Sequence, residues 1–169
     1  MHFLHQVENV RALGMKQALM IVDVQRSFTP PASLVAGITR LLPQMPSVAT
    51  LERHVESRVP FQRQLRWHPS ADDESLVTAD RLFVKHGYLP PVAAIDHLHD
   101  LGVARVLVCG IQAETCVLAA GFALFDAGLH PTLIADLAVG SSLDPSGALG
   151  VRLWRHHFGE IIERYADLL

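Results

Sequence analysis

The chain has 169 residues, 50% of them hydrophobic and 18% charged, with 14 basic against 17 acidic side chains. A chain of this length buries roughly 70% of the surface its unfolded form exposes, so it forms one globular domain without disulfide or metal staples. The formal charge of −3 leaves no electrostatic footprint for nucleic acid or an anionic membrane, and small-molecule and protein partners remain.

Cys109 and Cys116 match neither a zinc knuckle nor a C-x-x-C redox pair, and a reducing, cytoplasmic setting fits them. Apolar runs stop at about ten residues where a membrane span needs ~20, and the start lacks a signal peptide's basic and apolar regions. Residues 1–14 are polar and unlike the rest of the chain; they read as an N-terminal extension, with Met15 an alternative start, ahead of a single domain over 15–169.

In chain order, Ala18 to Val24 is a short apolar run ending at an acid, the pattern of a buried strand, and QRSFTPPAS after it is a loop. Leu34 to Leu42 has helical spacing and is stopped by Pro43 and Pro46. Ser47 to Leu51 is a second strand. Glu52 to Asp80 is polar and carries no clear period, and Arg81 to Val84 is a third strand before Lys85. Pro91 to Leu101 reads as a helix closed by Gly102, Ala104 to Cys109 as a strand, and Cys116 to Ala127 as a buried helix closed by Gly128. Pro131 to Ala135 is a strand, Pro145 to His157 a helix interrupted by glycines, and Gly159 to Ile162 a last strand. This alternation predicts an α/β protein, a three-layer α/β/α sandwich around a mostly parallel sheet.

Ligands of such sheets bind beyond the carboxyl ends of the strands. Three residues there carry chemistry: Asp23 after the first strand, Lys85 after the third, and Cys116 at the start of a helix. The helix N-terminus and a nearby lysine are expected to lower the thiol pKa, and a carboxylate beside it could exchange its proton. Taken singly, each has a bland reading: a small core cysteine, a capping acid, a solvated lysine. Cys109, inside a strand, is the plain core case. Glu114 reads as a helix N-terminal acid and Asp136 as a turn cap.

The segments ALMIVDVQRSF, RLFVKHGY and VLVCGIQAETCVLAAGFALFDAGLHPTLIADLAVGSS resemble, in order, the signature regions of the isochorismatase-like cysteine hydrolases, which include nicotinamidases and N-carbamoylsarcosine amidases. The resemblance spans about Met15 to Phe158. It implies a Rossmann-like three-layer fold, assembly into homodimers or homotetramers, and hydrolysis of a small amide, urea or related C–N bond. It makes Cys116 the nucleophile, Asp23 the general base and Lys85 the polarising cation. A non-proline cis peptide at Ile111–Gln112 is implied too, turning the Gln112 N–H beside that of Cys116 as an oxyanion hole. Phe28 matches a substrate-pocket position; Tyr88 and His86 are weaker candidates for the same wall.

There are departures. Ala113 stands where many members have threonine or serine, and the interval from Asp23 to Lys85 is short, which alters the pocket wall. The nicotinamidase branch binds a metal through Asp-x-His and a further histidine, where this chain offers Glu52-x-His54 and His68. Surface polar residues are the default reading of these three, and no cofactor is expected. Two other functions fit the fold: vinyl-ether hydrolysis of the isochorismatase type, which does not need the cysteine, and a catalytically weak binding or scaffold member. A nucleotide-binding protein would need a glycine-rich phosphate loop, and the chain has neither G-x-G-x-x-G nor G-x-x-x-x-G-K-[ST].

Overall fold

The computed structural model describes residues 14–169; the extension read over 1–14 lies outside the described residues except for Gly14. Six strands form one sheet: β1 (Gln17–Val22), β2 (Ser47–Glu52), β3 (Arg81–Lys85), β4 (Arg105–Ile111), β5 (His130–Val139) and β6 (Ile161–Ile162). Four α-helices connect them: α1 (Ala32–Leu41), α2 (Val92–Asp100), α3 (Cys116–Asp126) and α4 (Ala148–His157). The spatial order is β3-β2-β1-β4-β5-β6, and every pairing is parallel. The chain builds outward from β1 to β3, then returns to place β4 on the other side of β1. The strand order therefore reverses between β1 and β4, which opens a crevice at their carboxyl ends.

The alternation of β1 fixes the two layers. Ala18, Met20 and Val22 point to one face, under α2, α3 and α4, where Leu98, Val117, Leu124 and Trp154 complete a core. Leu19 and Ile21 point to the other, under α1, with Leu34, Ile38 and Leu41. A strand buried on both faces must be apolar at every position, and QALMIV is, past its first residue.

Of the boundaries that differ from the sequence reading, those of β1 and β5 move named residues. β1 ends at Val22, because Asp23 takes a left-handed backbone (φ 50°) and leaves the sheet. β5 runs to Val139 through an irregularity that pairs Leu133 with Val108 and Ala138 with Gly110. Asp136 thus lies within a strand rather than capping a turn, and its Oδ1 accepts the Tyr165 N–H at 2.9 Å.

Candidate active site

Each strand of the β1–β2–β3 side ends in an ionisable group: Asp23 directly after β1, Glu52 at the end of β2, Lys85 at the end of β3. Glu52 and Lys85 are register partners. Across the crevice, β4 leads through a short turn to Cys116, the first residue of α3. Gly110, near the end of β4, has φ 119°, and a Cβ there would lie 2.1 Å from the Val22 carbonyl oxygen; only glycine lets the strands meet this closely.

All four groups are buried. Lys85 Nζ lies 2.7 Å from Asp23 Oδ2 and donates to the Tyr88 carbonyl at 3.1 Å. Asp23 Oδ1 accepts the Thr50 hydroxyl at 2.7 Å. The Cys116 thiol donates to Glu52 Oε2 at 3.9 Å. Donor atoms of Asp23, Glu52 and Cys116 all fall within 4.8 Å of one another. Gln25 fixes Glu52 from both sides of its backbone, donating to its carbonyl at 2.8 Å and accepting its N–H at 2.9 Å.

The electrostatics differ from the sequence expectation. Burial, then the Asp23 carboxylate, pushes the Cys116 thiol well up; the pull of Lys85 is smaller. The shift favours the thiol over the thiolate. Burial would lower the Lys85 ammonium, but Asp23 outweighs it, aided by Cys116 and Glu52, and the pKa is raised. Desolvation raises Glu52 to about 7, with Asp23 adding to the rise and Lys85 opposing it.

The Ile111–Gln112 peptide is cis. The Gln112 carbonyl accepts the Thr115 N–H at 3.0 Å and the Val117 N–H at 3.1 Å. Among the described residues, neither the Gln112 nor the Cys116 N–H donates to a protein acceptor, which leaves both for a ligand oxygen. Glu114 Oε1 accepts the Ser141 N–H at 2.9 Å and ties this turn to the loop after β5, a positioning contact. Ala113 packs closely on α4: a Cβ on Gly150 would lie 2.5 Å from the Ala113 Cβ, so position 150 has room only for glycine.

A run of aromatic contacts joins the loop after β1, the stretch between β2 and β3 and the loop after β3. Phe28 stacks on Trp67 (centroids 6.1 Å, 27°), Trp67 meets Phe61 edge-on at 6.1 Å, and Phe61 meets Tyr88 edge-on at 5.5 Å. Phe61, Tyr88 and Val59 line a cavity of about 130 Å³. His86 points elsewhere, with Nδ1 2.9 Å from the Arg53 carbonyl. Tyr88 lines that cavity and Phe28 does not; Phe61 and Trp67, which link the two, come from the stretch that carries no period, so no pattern marked them.

That stretch is anchored by buried Asp73, which accepts from Gln25 Nε2 at 2.8 Å, from the Ser27 N–H at 3.0 Å and from the Ser27 hydroxyl. Burial alone would raise its pKa, but the Ser27, Gln25 and Glu74 hydrogen bonds outweigh this and lower it.

The fold is similar to that of solved isochorismatase-like α/β proteins. The sequence model of the Isochorismatase domain matches residues 92–165. A nicotinamidase/pyrazinamidase from Acinetobacter baumanii superposes with a TM-score of 0.75 at 18% identity, covering 92% of this chain and 99% of that one. An N-carbamoylsarcosine amidase from Thermoplasma acidophilum gives 0.71 at 20%, covering 89% and 97%. A pyrazinamidase from Pyrococcus horikoshii in complex with zinc gives 0.74 at 20%, covering 87% and 98%. No curated protein sequence matches significantly.

The zinc complex raises the question of Glu52, His54 and His68. Glu52, only 2% exposed, is not the surface residue the sequence suggested, whereas His54 is half-buried and His68 exposed. Glu52 turns toward Cys116, leaving Oε1 unpartnered. His54 Nε2 pairs with Glu56 at 3.2 Å and its Nδ1 is unpartnered. The His54 and His68 rings stack face to face, 4.0 Å apart at 18°. Imidazole lone pairs lie in the ring plane, so two stacked rings cannot converge on one ion. Nor does the Asp23, Glu52 and Cys116 group suit a cation, because the Lys85 ammonium already stands against Asp23. As folded, these residues do not fit a metal centre.

Proposed function

We propose that the protein hydrolyses a C–N bond of a small amide, urea or related substrate, with Cys116 as nucleophile. The observation that carries this reading is a buried thiol at a helix N-terminus, in hydrogen-bond contact with one carboxylate and beside a buried Asp23–Lys85 pair. A carboxylate takes the thiol proton and sulfur attacks the carbonyl carbon. The oxyanion faces the Gln112 and Cys116 N–H groups, each worth on the order of 3 kcal/mol in comparable sites. The proton passes to nitrogen, the C–N bond breaks, and ammonia or an amine leaves. Water, deprotonated by the same carboxylate, attacks the thioester; acid and thiol are released. Two carboxylates, Asp23 and Glu52, stand near the thiol, and Lys85 is ion-paired with Asp23. Phe28, Trp67, Phe61 and Tyr88 suit a small planar substrate.

The amidase names of the neighbours support this reading, and Cys116 in the cluster favours it over ether hydrolysis, which has no use for a thiol. A binding or scaffold role leaves the Asp23–Lys85 pair unexplained, since burying charges is costly. The exposed apolar side chains Leu82, Val84, Leu89 and Val92 along β3 and the start of α2 support assembly into a homodimer or homotetramer, which light scattering would measure. Among the described residues no helix is long and apolar enough to cross a membrane, and two free cysteines suit a cytoplasmic protein.

The test is ammonia release from nicotinamide, pyrazinamide, N-carbamoyl compounds, ureidoacrylate, maleamate and biuret, against Cys116→Ala. We expect turnover of at least one and a loss of about a thousandfold or more in the variant. Turnover that survives Cys116→Ala overturns the mechanism. Silence across the panel, with Cys116 inert to alkylation, overturns the enzyme reading in favour of a binding subunit.

A further inference from the structure

We propose that Gln112 is a specificity-determining residue whose side-chain amide donates to a second, uncharged carbonyl of the substrate, a few bonds from the scissile one. Turnover of such a compound rests on the amide-hydrolase reading; its binding does not.

Gln112 directly follows the last residue of β4 and stands at the crevice between β1 and β4. The side-chain donors around that crevice are otherwise spent. Lys85 Nζ is taken by Asp23 and by the Tyr88 carbonyl, the Thr50 hydroxyl by Asp23, and Gln25 Nε2 by the Glu52 carbonyl and Asp73. The two glutamines differ in kind. Gln25 is buried and satisfied at both ends of its carboxamide. Gln112 is half-buried, and among the described residues its Nε2 has no protein acceptor and is not sealed in the interior.

The free amide is aimed. Thr115 holds the N-cap position of α3, where a threonine hydroxyl ordinarily accepts a first-turn N–H, and it makes no such bond. Its hydroxyl instead reaches Gln112, 3.3 Å from Oε1 and 3.4 Å from the carbonyl oxygen. Giving up a cap costs about 1 kcal/mol, and a local rule broken without local gain is expected at a working site. With Oε1 turned to Thr115, the amide hydrogens point away from it. The turn beneath is fixed as well: the Ala113 N–H donates to the Val139 carbonyl at 2.9 Å, Glu114 Oε1 accepts the Ser141 N–H at 2.9 Å, and Ala113 lies against Gly150 of α4. A donor on such a support loses little freedom when a ligand arrives.

The Gln112 backbone N–H is unspent too. A substrate whose reacting carbonyl sits at that N–H has its neighbouring atoms within reach of the carboxamide, because the two donors belong to one residue. What an amide N–H recognises is an acceptor oxygen, and charge decides which kind. Asp23 and Glu52 share the cluster with one cation, Lys85, and Glu114 stands two residues beyond Gln112. Arg53, the next cation along β2, is turned to the Asp73 carbonyl at 3.3 Å. Acids therefore outnumber free cations, and a second carboxylate would be repelled where a neutral carbonyl is not.

The experiment is protection of Cys116 from iodoacetamide, read on the Cys116 peptide by mass spectrometry so that Cys109 does not contribute. It compares malonamide, which has the second carbonyl, with isovaleramide, where an isopropyl group of similar shape replaces that carboxamide, and with malonamate, where a carboxylate does. Malonamide should protect the wild type at about a fivefold lower concentration than isovaleramide, the scale of one neutral hydrogen bond, and malonamate should protect less well than malonamide. Gln112→Leu should erase the preference for malonamide over isovaleramide. That preference is a ratio within one protein, so damage common to both compounds cancels. Thr115→Val should reduce it and Thr115→Ser should restore it. Equal protection by the two amides in the wild type, no protection by malonamide, or a preference kept in Gln112→Leu with native circular dichroism each overturns the proposal, and stronger protection by malonamate overturns the uncharged carbonyl. Should Gln112→Leu fail to fold, Gln112→Glu, which keeps the shape and loses the amide hydrogens, decides in the same way. Malonamide that protects with the expected preference yet releases no ammonia supports the Gln112 assignment and counts against the amide-hydrolase reading alone.

Discussion

The half of the chain from β4 onward and the stretch between β2 and β3 make opposite contributions to the site. β4, α3 and β5 are regular, buried and apolar, and they present Cys116 and two backbone N–H groups from a rigid frame. Residues 53–80 carry only one short helical turn, Phe61–Leu65, and are held by polar anchors rather than by a packed face. On the function proposed above, the first region would supply the nucleophile and the second the wall that selects what reaches it, a division common where rigid elements carry variable connections.

The largest effect that would sharpen this contrast is on stability at the rim. Lys85→Met leaves the Asp23 carboxylate buried without its partner, and breaking a buried pair from one side costs ~3–5 kcal/mol. Urea unfolding of wild type and variant should differ by that amount near neutral pH. A difference below about 1 kcal/mol would mean that solvent reaches Asp23 and that the rim is less rigid than the burial of both side chains indicates.

Next comes the pH dependence that Glu52 imposes. Its folded pKa, about 7, lies above the ordinary value of 4.5, so between those limits the folded state binds more protons than the unfolded state. Stability from this group is therefore present at low pH and lost as pH rises from about 4.5 to about 7, by up to about 3 kcal/mol. Glu52→Gln removes the loss. The variant should gain on wild type in urea midpoint between pH 5 and pH 8. A gain that does not grow with pH would contradict the raised proton affinity.

How far the sequence revealed this depends on the region. β1, β4 and α3 were legible because each is apolar throughout and punctuated by an acid, a glycine or a turn, and Asp23, Lys85 and Cys116 stood out as reactive types at strand ends. Glu52 stood at a strand end as well but was masked by its spacing to His54, which suggested a metal pair; only the placement of β2 beside β1 shows the carboxylate turning to sulfur. Gln25 and Asp73 act through contacts between residues far apart in sequence, which no local pattern can display. Trp67 and Phe61 belong to a wall whose form is set by those same contacts. The direction of the thiol shift was also out of reach, because it depends on how deeply Cys116 is buried relative to how near Lys85 stands.

A smaller effect tests the loop. Asp73→Ala removes the acceptor for the Gln25 amide and for the Ser27 N–H and hydroxyl, which should cost about 1–3 kcal/mol. Because Gln25 also brackets Glu52, the substitution should raise KM through a loosened wall and lower kcat less, measured on whichever substrate the panel yields. An unchanged KM would separate the anchor from the pocket and return residues 53–80 to a purely structural role.

The smallest effect belongs to the other cysteine, and it tests whether position rather than chemistry makes Cys116 the nucleophile. Cys109 is fully buried in β4, its thiol donating weakly to the Met20 carbonyl at 3.8 Å, and burial alone pushes its pKa far up, with no charged group opposing it. Nothing there can take its proton. Cys109→Ala should cost about 1 kcal/mol from lost packing and leave both turnover and Cys116 alkylation unchanged. If it instead lowered alkylation of Cys116 or abolished turnover, the frame formed by β4 and α3 would not be the rigid support described above, because a methyl-sized change within β4 would have moved the turn that presents the nucleophile.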